Sequence, residues 1–142
     1  MALGHRVIGL KWVFKLKRNE KREVVKHKTR LVAKGYVQKQ VVDFEEVFAP
    51  VARLESVRLL LVIAAHHSWE VHHMDMKSAF FNGELKEATT KLPRQHNPDK
   101  VLRLHKALYG LQQAPQAWNA KLDSILLSQK FKRCAFEHGM YT

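Results

Sequence analysis

Five apolar residues at strict two-residue spacing, Ile8, Leu10, Trp12, Phe14 and Leu16, constrain this chain more than any other feature. Successive side chains of a strand point to opposite faces. This spacing therefore lines one face with apolar groups and leaves Lys11, Lys15 and Lys17 on the other. Arg18-Asn19-Glu20-Lys21 reads as a polar turn. A second strand is predicted from about Val24 to Ala33, with Lys26, Lys28 and Arg30 on one face. If the two polar faces coincide, the hairpin carries a ribbon of cations beside a packed apolar face. Such a ribbon can bind the phosphates of a nucleic-acid strand or of a nucleotide. It can equally be a solvated, lysine-guarded edge that resists aggregation.

The hairpin holds most of the chain's charge. Between His5 and Gln40 twelve Lys and Arg residues face only Glu20 and Glu23, a balance of +10 in a chain whose net charge is +12. That asymmetry points to a polyanionic partner, nucleic acid first and an anionic membrane surface second. A hydrophobic content of 46% over 142 residues fits one folded domain and excludes a disordered chain. No apolar run is long enough to span a bilayer, and no charged-then-apolar leader opens the sequence. A non-secreted, intracellular location, cytoplasmic or nuclear, is therefore expected. The single cysteine, Cys134, excludes an internal disulfide.

Further along, Val42 to Pro50 reads as a loop with aromatic anchors. Val57, Leu60, Leu61, Ala64 and Ala65 stand at helical spacing within a helix predicted over Leu54–His66, expected as core scaffold. A β-type segment, Trp69 to Met74, then runs into Asp75, followed by a small-residue turn, Phe80-Phe81 and Asn82-Gly83. A carboxylate ending a buried strand is costly unless a cation or strong donor meets it. One explanation is a bound divalent metal such as Mg²⁺, which takes oxygen ligands; the other is an aspartate capping the turn. Val101–Leu104 is a short strand, and Lys106–Ala114 a loop with Gly110 as its flexible point. A helix is predicted from about Pro115 to Gln129, and a further strand should begin at Tyr141. The histidines and Cys134 lack the paired spacing of a zinc site, so none is expected.

Five blocks occur in order: Lys11-Trp12-Val13-Phe14-Lys15; Arg30 to Tyr36; Phe48 to Arg53; Met74 to Gly83; and Ala107 to Pro115. Together they resemble the reverse transcriptase of Ty1/copia-type LTR retrotransposons, over about Gly9 to Tyr141. The resemblance implies an RNA-directed DNA polymerase acting by two-metal nucleotidyl transfer, with Mg²⁺ or Mn²⁺ as cofactor. Its implied partners are an RNA template with DNA primer and a dNTP, with no membrane involved. Under it, Asp75 matches the first catalytic, metal-ligating aspartate of the palm. Lys77, Ser78 and Ala79 match the turn that cradles the incoming triphosphate, and Phe80 the ring that screens out a ribose 2′-hydroxyl. Arg30 matches a fingers arginine on the nucleotide phosphates, with Lys28 beside it. Tyr109, Gly110, Gln112 and Gln113 match template- or nucleotide-contacting positions.

The implied fold is α+β, a partial right-hand polymerase. A basic fingers β-hairpin (about 5–50) stands on an incomplete palm of antiparallel sheet with two helices (about 51–142). Two departures stand out. The family's Tyr-Val-Asp-Asp turn lies beyond its counterpart of Tyr141, so these 142 residues hold one of three catalytic carboxylates and are expected to be inactive as they stand. Ala88–His96 also replaces a Val-Tyr-Val-like strand and its turn, which weakens the strand after the catalytic turn. Two other readings remain: a noncatalytic basic nucleic-acid-binding module, and a transposon remnant without selected function.

Overall fold

The computed structural model describes residues 7–85, 91–93 and 101–142, and for 91–93 the backbone alone. The chain is α+β. Strands β1 (Leu10–Arg18) and β2 (Val24–Ala33) form an antiparallel hairpin, and β3 (Lys91–Pro93) pairs antiparallel with β4 (Val101–Arg103). Helix α1 spans Leu54–His66 and α2 spans Ala114–Ser128, with short 3₁₀ turns at Gly35–Val37 and Ala79–Asn82. Of the altered stretch Ala88–His96, only β3 lies within the described residues. None of the described helices is long and apolar enough to cross a membrane.

The register of the hairpin answers the question its sequence posed. Lys15 stands opposite Lys28, Lys17 opposite Lys26, Val13 opposite Arg30 and Lys11 opposite Val32. Directly opposed residues share a face, so the six cations Lys11, Lys15, Lys17, Lys26, Lys28 and Arg30 form one ribbon. Asn19 closes the turn: its side chain accepts from the Glu23 amide at 2.9 Å and donates to the Glu23 carboxylate at 2.8 Å. The expected packed apolar face is found only at the foot of the hairpin: Ile8 is buried and Leu10 packs against the core, whereas Trp12, Phe14 and Leu16 are exposed, Phe14 by 75%.

The core sits at the foot of the hairpin. Ile8, Ala33, Ala107, Leu111, Ala114 and Ala117 are buried together, with Leu10, Val37, Phe80, Leu85, Leu104 and Leu108 against them. Small side chains let backbones close up here. A Cβ on Gly35 would stand 1.8 Å from the Gly110 carbonyl oxygen, and one on Gly83 2.7 Å from the Trp118 nitrogen. Gly110 has φ +90°, a conformation that glycine adopts without steric cost. The Ala33 amide donates to the Tyr109 carbonyl at 2.7 Å, and the Ala107 amide to the Gly83 carbonyl at 2.9 Å.

Two expectations about the middle of the chain fail. Trp69 to Met74 forms no strand: among the described residues no ladder bonds it to a neighbour, and Trp69, Val71 and Met74 are all exposed. A strand exists only through its hydrogen-bonded partner, and alternation cannot supply one. Helix α1 is not core scaffold. Only its Ala64 is buried, and Leu59, Leu60, Leu61 and Val62 face solvent. Helix α2 packs on the Ala79–Asn82 turn, while the N-terminal end of α1 is held by Ser56 and Arg53, which both reach Glu137. At Tyr141 an isolated bridge to Arg133 takes the place of a strand.

Candidate functional site

The hairpin and the Asp75 turn face each other across a cleft of about 720 Å³. Lys26, Lys28, Thr29 and Arg30 of β2 and Trp12 of β1 line one side; Asp75, Met76, Lys77, Ser78 and Phe81 line the other, with Tyr109 between them. The β-structure of the hairpin brings its cations here. The Asp75 side owes its shape to Ser78, whose φ of +55° reverses the chain. The Ser78 carbonyl then accepts from the Phe81 amide at 3.0 Å, which opens the 3₁₀ turn.

Tyr109 ties the two sides together. Its ring meets Phe80 edge-on at 5.0 Å and Phe81 at 5.5 Å, and the Arg30 guanidinium lies 5.7 Å from its centroid. A cation over an aromatic face is attracted by the ring quadrupole. The contact therefore holds Arg30 over the floor of the cleft. The Arg30 guanidinium also holds the Lys28 ammonium below the usual lysine range. Partial desolvation and the charges of Lys17 and Lys26 add to this, and Asp75 alone opposes it. Such crowded cations favour an anion, because a phosphate relieves their repulsion.

The residues named from the sequence separate into groups. Asp75, Lys28, Arg30, Lys77, Ser78 and Tyr109 line the one cleft. Phe80 lies deeper, packed against the core, and the neighbouring Phe81 presents its ring to the cleft. Ala79 is half-buried at the start of the 3₁₀ turn. Gly110 serves the close approach to the Ala33 carbonyl. Gln112 donates its amide to the Gln38 side chain at 3.0 Å, and Gln113 is buried, its amide nitrogen bonded to the Asp43 carbonyl at 3.3 Å. Asp75 is exposed, so the premise of a carboxylate at the end of a buried strand does not hold. What it meets is the field of Lys28 across open solvent. The sequence reading placed Lys26 in the cationic ribbon without assigning it to the site, and it passed over Thr29, Leu31, Met76, Phe81 and Trp12 as site residues. Lys26 was legible from its shared face with Lys28. Trp12 was not, because strict alternation assigns it to the opposite face.

The donors of the cleft decide whether it suits a divalent metal. Among the described residues Asp75 is the one carboxylate lining it, and no three His, Cys, Asp or Glu side chains converge. A pair of Mg²⁺ ions needs several bridging oxygens. The residues present do not by themselves fit a two-metal centre.

The sequence model of the family described as Reverse transcriptase (RNA-dependent DNA polymerase) matches residues 2–142. The chain belongs to this reverse transcriptase family. It is 41% identical over 143 residues to the retrovirus-related Pol polyprotein from transposon TNT 1-94 of Nicotiana tabacum, which covers 97% of this chain and 11% of that protein. It is 38% identical to the corresponding polyprotein from transposon RE2 of Arabidopsis thaliana, over 88% of this chain and 9% of that protein. The Ty1-MR1 Gag-Pol polyprotein of Saccharomyces cerevisiae is 28% identical over 96% of the chain. These relatives make it a reverse transcriptase segment of the copia type, and it spans about a tenth of their length. No solved structure matches the chain.

Proposed function

We propose that this reverse transcriptase segment forms the fingers (about 5–50) and part of the palm (about 51–142) of an RNA-directed DNA polymerase, and that its cleft binds the triphosphate of an incoming dNTP. One observation carries the reading: Lys28, Arg30, Asp75, Lys77 and Ser78 come from segments far apart in the chain and line one cleft floored by Tyr109. In this reading Arg30 and Lys28 take the phosphates as charge-assisted donors, and the left-handed Ser78 turn presents Lys77 to them. Phe81, with Phe80 behind it, bounds the sugar. In a whole enzyme that completes the carboxylate set, Asp75 would be one ligand of a divalent ion such as Mg²⁺ or Mn²⁺, which would offset phosphate charge. Since Asp75 is the one carboxylate at the cleft among the described residues, no polymerisation is expected from these residues alone.

The test is a titration of the chain with a dNTP, read by tryptophan fluorescence, since Trp12 lines the cleft. Arg30→Ala is expected to weaken binding about tenfold, in line with a lost hydrogen bond to a charged group. A titration with no saturable change would remove the reading. A second reading, a noncatalytic nucleic-acid-binding module, is favoured by the six cations on one hairpin face. It predicts tight binding of single-stranded RNA or DNA whose affinity falls steeply with salt. Retention on a filter at low salt with no salt dependence would count against it.

A further inference from the structure

The cleft depends on how the basic hairpin is mounted on the Tyr109 loop, and one side chain outside the cleft bridges the two. Gln38 follows β2 by way of the Gly35–Val37 turn. Its Oε1 accepts from the Gln112 amide at 3.0 Å, and its Nε2 donates to Gln113 Oε1 at 3.0 Å. The chain of bonds continues inward. Gln113 Nε2 donates to the Asp43 carbonyl, and Asp43 Oδ2 accepts from the Lys39 amide at 2.8 Å. Gln113 is 6% exposed and Asp43 2% exposed, so a broken link leaves polar groups without water. Nearby, the Gly35 and Gly110 backbones touch and Ala33 bonds Tyr109.

From this we infer that Gln38 is a positioning residue: its carboxamide clamps the foot of the hairpin to the start of α2, and so sets Lys28 and Arg30 at their spacing from Tyr109. The inference rests on the nucleotide-binding reading above for its consequence, and on the bonds alone for the clamp. A carboxamide suits the place because it donates on one side and accepts on the other. Glutamate keeps the acceptor for the Gln112 amide but has no donor for Gln113. Leucine keeps neither.

Two measurements on the full 142-residue chain test it. The first is dNTP affinity at a temperature where circular dichroism shows each variant folded. Gln38→Leu is expected to lose about tenfold, with Gln38→Glu between it and the parent. Tyr141→Phe serves as control: it removes a bond remote from the cleft, lowers the melting temperature and leaves affinity within about twofold. The second needs no ligand. Spin labels at Lys21→Cys and Ser124→Cys, in a Cys134→Ser background, report the distance between the hairpin tip and α2. Gln38→Leu is expected to broaden that distribution, with Gln38→Glu intermediate and Tyr141→Phe unchanged. An unbroadened Gln38→Leu distribution, or an affinity equal to the parent's, overturns the clamp. A parent chain that binds no dNTP overturns the nucleotide reading, and the distance measurement then decides the clamp by itself.

Discussion

The two helices make an instructive pair. Both are legible in the sequence, and α1 is the richer in Leu, Val and Ile. Yet α1 buries only Ala64, whereas the less apolar α2 buries Ala114 and Ala117 and packs on the Ala79–Asn82 turn. Apolar content therefore does not decide which helix organises the molecule. What decides it is whether another segment presents a surface that fits. Gly83 lets the turn reach the α2 backbone, and the Tyr109 loop feeds α2 into the core. The described residues bring no such surface to α1, and the segment after it, Trp69 to Met76, is exposed like the helix. Asp75 thus projects from the loose side of the cleft toward a wall built on the tight side.

The largest effect that would break this contrast is on the α2 side. Gly83→Val puts branched carbons where a Cβ already meets Ala117 and Trp118 at 2.7 Å. It should cost about 3 kcal/mol, the upper range for overpacking, and abolish a cooperative thermal melt. A variant that melts like the parent would mean the turn does not hold α2.

Next is the latch on the far end of α2, where the Tyr141 hydroxyl donates to Asp123 Oδ1 at 2.7 Å. Tyr141→Phe should cost about 1 kcal/mol in denaturant unfolding. Burial first, then the bond to Asp123, push the Tyr141 phenol above its ordinary value. A group raised in the folded state adds stability below its unfolded pKa, about 10 for tyrosine, and that stability is lost as pH rises through the raised value. The phenylalanine variant should therefore lack this alkaline loss.

Smaller still is Leu61→Glu on α1. It should change stability by under about 0.5 kcal/mol and reduce binding of a hydrophobic dye. A loss above about 1.5 kcal/mol would show that α1 is packed after all. The smallest effect sharpens the contrast across the cleft. Followed by NMR of the lysine side chains, Arg30→Gln should raise the Lys28 titration, since Arg30 is the main cause of its lowering. Asp75→Asn should lower it further, by less. Equal shifts would place Asp75 as firmly as Arg30.

Much of the local structure was readable in advance. Strand β2 and helix α1 occupy the predicted Val24–Ala33 and Leu54–His66, and α2 begins and ends one residue before its predicted limits. Period and punctuation by Gly, Pro and Asn are local properties, so they survive any tertiary arrangement. The cleft was legible in part. Arg30, Asp75, Lys77, Ser78 and Tyr109 were named from their blocks and Lys28 from its place beside Arg30, but which of two adjacent phenylalanines faces the cleft was not read. That choice follows from the left-handed Ser78, and a serine carries no strong signal for that conformation. The strand before Asp75 was misread because the β-type residues of Trp69 to Met74 say nothing of a neighbour to pair with.

The amino-acid order alone determined the hairpin, both helices, the charge of the front end and, through its ordered blocks, the reverse transcriptase family. Tertiary structure decided that the lysines of both strands share one face of the hairpin, that Gln38 and Gly110 join it to α2, and that α1 stays in solvent. The physical reason is one of range. Backbone preference and side-chain period act within a few residues, whereas burial and hydrogen-bond partners are supplied by segments dozens of residues away, and only the folded chain shows which of them arrive.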